Sequence, residues 1–438
     1  MKRIYLFLLL VCSAAGINAQ WITTSAPIVS WRYDDVYFTN PDLGWAVRFS
    51  SGSDGTILKT IDGGASWQSM PGASPGAKYR DVGFLDSLNG FIGTLSSGYD
   101  PQDTVIMYQT SDGGTTWNSV TNFPGPRPAG ICGMFVVNDS TLYAGGRYYG
   151  PAGFYKTTDK GINWSYMNLN AVAGGIVDLH FFNKDTGIAV GGSLPNYLSG
   201  KGRILRTVDG GNTWTVVHTS THTQEICWKV SFPSPNIGYV SLQSFRSGGA
   251  QYFLKTTDGG LTWTDLPFLS GGSYNVQGIG FINDTTGWIG GDPFNYKTMN
   301  GGLTWTLDNF GNRVNRFRIF GDTLVYAAGS GIYKYQPGTV HVADNYKKNI
   351  SYLSPQPNPF ISETEIHFIL KNVSRINLII MDMNGQIIKQ IETQCNAGEQ
   401  MIRWNGMNTF GQSVANGLYL INIESSEGIL VGKVIKER

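Results

Sequence analysis

The sequence predicts an all-β chain, a seven-bladed β-propeller followed by a small immunoglobulin-like β-sandwich. A turn-and-strand motif recurs six times at an interval of about 42–50 residues, the size of one propeller blade. The composition agrees, since 57 glycines and 13% aromatic residues stand beside only 14% charged residues. Many short strands joined by tight turns require that balance.

The N-terminus has its own logic. Met1-Lys2-Arg3, the apolar run from Ile4 to Cys12 and small residues up to Ala19 form the three-part layout of a secretory signal peptide, with cleavage expected between Ala19 and Gln20. An apolar run of about nine residues is far short of the roughly 18 that a membrane-spanning helix needs, and no later segment reaches that length. No membrane-spanning segment is therefore expected. Cys12 reads as part of the apolar run rather than as a lipidation site, because Val11 stands where a small residue is required. Cys132, Cys227 and Cys395 remain after cleavage, an odd number without close spacing, which fits neither a disulfide framework nor a zinc site. A net charge of +1 without basic runs argues against a nucleic-acid partner.

The six motif copies run from Thr60 to Trp67, Thr110 to Trp117, Thr157 to Trp164, Thr207 to Trp214, Thr256 to Trp263 and Thr298 to Trp305. Each has an acidic or amide residue in third place: Asp62, Asp112, Asp159, Asp209, Asp258 and Asn300. Such a side chain bonds the backbone further along its own turn, and the adjoining glycines accept positive φ. The closing Trp then buries a large ring against the sheet. These aspartates are committed to their turns, so no metal is expected there, and no cofactor is implied anywhere in the chain.

A second pattern, an apolar strand pair broken by Asp, Asn or Gly, precedes each turn and starts near Val36, Val82, Met134, Leu179, Val230, Ile279 and Phe317. It occurs seven times against six turns, so the last unit lacks its Trp-bearing outer strand. Gln20-Trp21-Ile22-Thr23 resembles the strand that leaves an Asp turn, so the mature N-terminus is expected to supply that outer strand and close the ring. Closure protects edges that would otherwise template aggregation.

The repeat is lost after Tyr335, giving a propeller at 20–336, a linker at 337–350 and a final domain at 351–438. That domain opens with Pro355-Gln-Pro-Asn-Pro-Phe360 and continues through alternating strands, with a hairpin turn expected at Asn384-Gly385.

The repeats resemble the Asp-box (BNR) propellers, most closely the photosystem II stability and assembly factor group. The final domain resembles the type A sorting domains of type IX secretion in Bacteroidetes, through Pro-Asn-Pro-Phe, Asp-Met-Asn-Gly-Gln, Asn-Gly-Leu-Tyr and the terminal Lys-Val-Ile-Lys. That resemblance implies Sec export to the periplasm, then delivery to the cell surface or medium by the outer-membrane translocon and a sorting-domain peptidase. A monomer is expected, with an extracellular protein or glycan as its remaining partner.

In propellers of this group, the segments entering each inner strand and the loops between second and third strands share the face opposite the Asp turns. Arg32, Arg80, Arg127, Arg147, Arg313 and Arg316, with Tyr79 and Tyr149, are expected there as a ligand-binding face for an anionic glycan or acidic protein loop. Arginine forks suit carboxylate or phosphate, and flat rings stack on sugars. No catalytic residue is assigned. The alternative is a glycoside hydrolase of sialidase-like or xyloglucanase-like type, but the Phe/Tyr-Arg-Ile-Pro motif of sialidases is absent from the first blade, with only the near match Phe317-Arg-Ile-Phe320 in the last. Glu225 is the only glutamate before the linker. His218 and His222 are expected in a solvated loop.

Overall fold

The computed structural model describes residues 20–49, 55–95, 105–125, 130–146, 150–194, 199–271, 274–321, 324–336, 350–382, 387–425 and 428–437. The signal peptide, the linker at 337–349, the turn at Asn384-Gly385 and the residues Arg127, Arg147 and Tyr149 lie outside them. All described regular structure is β, with no helix long and apolar enough to cross a membrane among these residues.

Two compact units are present, one of them Asn18–Pro337 and the other including Gly338–Arg438. The first contains seven four-stranded antiparallel sheets. Blades 1 to 7 have the inner strands Asp35–Phe38, Tyr79–Phe84, Ile131–Val136, Gly175–Phe181, Glu225–Ser231, Asn275–Phe281 and Arg316–Phe320. Each packs against its two neighbours, and that of blade 7 meets that of blade 1, which completes the ring.

Closure uses the chain's own start. Gln20–Thr23 pairs antiparallel with Ile332–Gln336, setting Trp21 opposite Tyr335, as the missing-strand argument requires. The Trp21 ring stacks on Phe310 at 4.0 Å, and its Nε1 donates to Asp308 Oδ2 at 3.2 Å. Blade 7 is thereby tied to blade 6 as well as to its own third strand.

The turns form as their residues dictate. In the first, Asp62 Oδ1 accepts from the Ser66 N–H at 2.8 Å and from Thr60 Oγ1 at 2.8 Å, while Gly63 and Gly64 take φ of 65° and 86°. The second, fourth and fifth copies repeat these bonds around Asp112, Asp209 and Asp258. Asp159 does the same with Asn163, and Asn300 with Thr304. Trp117, Trp164, Trp214 and Trp263 are buried, whereas Trp67 and Trp305 are half-buried. In blades 1, 2, 4, 5 and 6 the ring meets, edge to face, the Phe that ends the inner strand or comes directly after it: Phe38, Phe84, Phe181, Phe232 and Phe281. Blade 3 has Val136 at that position, and Trp164 turns to Phe91 and Phe123 instead.

The second unit pairs a three-stranded sheet, Ile350–Gln356, Thr364–Leu370 and Gly398–Trp404, with a four-stranded one built on Ser374–Met381 and Gly417–Ser425. Its core holds Phe360, Phe368, Leu378, Ile421 and the fully buried Trp404. Buried residues alternate strictly with less buried ones along Thr364–Leu370 and Ser374–Met381, which supplies that face. The Pro-Asn-Pro-Phe segment and the final strand are one structure, because Asn358 bonds the backbone of Lys433 and Ile435, and Phe360 bonds Ile435 and Glu437.

Candidate functional site

Aligned on Val36, Val82, Met134, Leu179, Val230, Ile279 and Phe317, the preceding position reads Asp35, Asp81, Gly133, Asp178, Lys229, Gly278 and Arg316 around the ring. The position before that reads Asp34, Arg80, Cys132, Val177, Trp228, Gln277 and Asn315. In blades 2 to 6 the strand register slips at this level. Such bulges add an unpaired residue and re-aim its neighbours. The two glycines stand where a neighbouring segment comes close: a Cβ on Gly133 would lie 2.7 Å from the Asp178 Cα, and one on Gly278 would lie 2.9 Å from the Val314 carbonyl.

Arg316 is the hub of this level. Its guanidinium reaches Asp35 at 3.0 Å, Asp81 at 2.8 Å and Asp178 at 2.8 Å, so one cation gathers carboxylates from three blades. Arg318 adds a second contact to Asp35 at 2.9 Å, and the Lys229 ammonium lies 3.9 Å from Asp178. Both Asp35 and Asp178 also accept a backbone N–H, from Val82 and Val230 respectively, at 3.1 Å. Asp81 has no such donor, and its Oδ1 is buried without a partner.

That difference sorts their protonation. Burial would raise Asp35, but Arg318, Arg316, Lys229 and the Val82 amide hold it at about 2. Asp178 is likewise held below the ordinary range, with Arg316 and Lys229 overcoming burial. Burial and the charge of Asp35 push Asp81 up to about 8 despite Arg316. Burial, with the charge of Arg316, brings Lys229 down to about 8. The hub thus combines two carboxylates pushed toward ionisation with a third, Asp81, pushed toward keeping its proton.

One level up, Asp34 accepts from Arg80 Nη1 and, at 3.1 Å, from Arg32 Nε. Asn315 bridges, its Nδ2 donating to the Asp34 carbonyl at 2.6 Å while its Oδ1 accepts from Trp228 Nε1 at 2.8 Å. The Arg80 guanidinium lies 5.4 Å from the centre of the Trp228 ring.

These positions correct the expected binding face. Arg32, Arg80 and Arg316 are 7%, 4% and 5% exposed, and Tyr79 is fully buried in the core between blades 1 and 2. The arginines face aspartates that entered from the same inner strands, so desolvation is met by ion pairing rather than by a ligand. Arg313 does reach the rim: it bonds Asp292 at 3.1 Å and lies 4.6 Å over the ring of Trp31, which is 47% exposed. Glu225 is buried and bonded to Arg246 at 3.0 Å. His218, expected in a solvated loop, lies instead on the strand Thr215–Thr219 and bonds Asp265 at 2.6 Å. His222 lies beyond that strand, 3.8 Å from Glu225.

Residues 362–428 match the family model of the FlgD Ig-like domain. The second unit is an immunoglobulin-like domain. No curated protein sequence matches the chain significantly. Among solved structures, it is similar to YCF48 bound to D1 peptide, with a TM-score of 0.54 and 18% identity over 73% of this chain and 97% of that one. YCF48 from Cyanidioschyzon merolae gives a TM-score of 0.55 and 18% identity over 73% of this chain and 100% of that one. The GH74 enzyme of Niastella koreensis gives 0.50 and 14%, over 93% and 66%. At such identities the likeness is one of fold.

Sequence reasoning found Arg32, Arg80 and Arg316 but missed Asp178, Lys229, Asn315 and Arg318 as their company. The signal was present in the alignment of the seven strand pairs on one another. Read down that column, the position before Val36 and its six counterparts carries three aspartates, a lysine and an arginine, and unlike charges at one level of a closed ring are brought together.

Proposed function

We propose that this is a secreted or surface-displayed, non-catalytic propeller that acts as a recognition or scaffold module for an extracellular protein or glycan. Its C-terminal immunoglobulin-like domain serves type IX secretion. The carrying observation is the engagement of the acidic groups. Asp34, Asp35, Asp81 and Asp178 are buried against arginines, and Glu225, the only glutamate before the linker, is buried against Arg246. A glycosidase needs two carboxyl groups flanking an accessible bond, about 5–9.5 Å apart, and these groups are not open to a substrate. A recognition surface asks only for a rigid rim, which the ring closed by Gln20–Thr23 supplies.

Two measurements test the reading. In the native host, removal of residues 351–438 is expected to leave a folded propeller in the periplasm, and undiminished surface delivery would overturn the export role. Incubation of the mature chain with sialyl-lactose, xyloglucan and related polysaccharides is expected to release no product; turnover abolished by substituting one carboxylate would establish the hydrolase alternative.

A further inference from the structure

The turns joining first and second strands share one face with the Asp turns, because the Gly259 and Gly301 amides donate to the Asn236 and Thr285 carbonyls at 2.9 and 2.8 Å. On that face a groove of about 710 Å³ crosses blades 5, 6 and 7. That lies within the range of about 300–1,000 Å³ typical of ligand sites. Half-buried Phe232, Pro233 and Ile319 form its apolar part, and exposed Asn283, Asp284 and Thr285 form its polar part.

The Asp turn of blade 6, bonded to Thr285 through Gly301, adds apolar surface beside the groove. Met299 and Leu303, in the second and sixth places of its motif, are 72% and 80% exposed. The turn itself does not require them. The second place holds Ser111 in blade 2 and Thr158 in blade 3, and the sixth holds Thr115 in blade 2 and Asn212 in blade 4, in turns that make the same bonds. Large apolar side chains that the fold leaves in water, gathered next to an apolar groove, mark an interaction surface.

Charge narrows the partner. Asp42, Asp139, Asp185 and Asp284 are exposed on this face, beside the five turn aspartates. Lys59, Lys156, Lys255 and Lys334 donate to carbonyls of the Asp turns at 2.9–3.2 Å, and Lys160 and Lys184 face Asp86 and Asp185. Carboxylates therefore predominate at the surface, and among the described residues no lysine or arginine lines the groove. Such a face repels an anionic glycan or an anionic lipid surface. A neutral sugar would find the Asn283 side-chain oxygen already accepting from the Thr285 and Thr286 amides. A chain that carries cations and large apolar side chains together matches both features. We propose that this groove and the blade 6 turn form a docking surface for a basic, apolar segment of an extracellular protein, with an apolar side chain against Phe232, Pro233 and Ile319 and a lysine or arginine beside Asp284. The proposal rests on the recognition reading above and names the partner's chemistry; the tests of export and turnover given there do not depend on it.

The experiment uses the mature full chain and a fluorescein-labelled peptide of repeated Lys-Leu-Lys-Phe units, with anisotropy and calorimetry as readouts. Binding in the micromolar range is expected, weakening as salt rises from about 0.05 to about 0.5 M. It should be lost when glutamate replaces every lysine of the peptide, or serine every leucine and phenylalanine. Met299→Ser combined with Leu303→Thr, which gives blade 6 the residues that blade 2 carries at those places, is expected to weaken binding about tenfold at unchanged Tm. Asp284→Lys and Thr285→Arg, both on an exposed turn, are expected to weaken it at least as much. Ile162→Thr, the same kind of change on the blade 3 turn across the ring, should leave it unaltered. Failure of the peptide to bind, equal binding of the glutamate or serine peptide, unchanged affinity in the blade 6 variants, or an equal loss in Ile162→Thr overturns the assignment.

Discussion

The propeller holds two circles of aspartates, and they obey opposite rules. The turn aspartates recur at the same place in five blades, lie near the surface and bond only within their own eight residues. The hub aspartates occupy that level in only three blades, are buried, and bond across the ring to an arginine as many as 281 positions away, the separation of Asp35 from Arg316. Repetition marks what each blade needs for itself, and the breaks in repetition mark what the ring needs as a whole.

That contrast breaks first at Arg316. Arg316→Met leaves Asp178 a buried anion short of its main partner and Asp35 with Arg318 as its remaining arginine, and we expect a loss of about 3–5 kcal/mol. Urea unfolding monitored by tryptophan fluorescence measures it, and a loss under about 1 kcal/mol would make the hub ornamental. Trp214→Ala removes a buried ring that joins the turn to Phe181, with an expected cost of about 3 kcal/mol or more. The same measurement applies, and a smaller loss would mean that the turns stand without their tryptophans.

Asp258→Ala should cost only about 1 kcal/mol, since local bonds on one exposed turn are lost while six blades stay intact. A collapse as large as that of Arg316→Met, seen as a comparable fall in urea midpoint, would erase the distinction between the two circles.

Asp81→Asn sharpens the comparison by having its smallest effect at low pH, where the carboxyl and the amide are both neutral. Because Asp81 is raised to about 8, the folded chain keeps a proton that the unfolded chain gives up near 4. Its contribution is therefore full at low pH and is lost as pH rises from about 4 through about 8. Asp35 and Asp178, both held down, contribute stability above about 4 that is lost on acidification. The amide should remove the decline on the alkaline side and leave acid unfolding unchanged. Comparing unfolding at about pH 5 and about pH 9 decides it; an acid-side change alone would mean that Asp81 is ionised in the folded ring.

Trp67, Trp117 and their counterparts were legible as strand-entering rings because each motif is self-contained: the Asp, the glycines and the Trp lie within eight residues. The closing strand was legible for the same reason, as a motif fragment found out of place at Trp21. The alternation of Thr364–Leu370 likewise announced one buried face. Such features arise from local bonding and side-chain period, which a linear chain displays directly. What the linear order does not show is which of seven similar strands will face which. Arg80 and Arg316 looked like loop charges because their partners, Asp34 and Asp178, lie 46 and 138 positions away. Only closure of the ring brings seven inner strands to one level, removes water from the level they share, and turns charges fit for a ligand into charges that hold blades together.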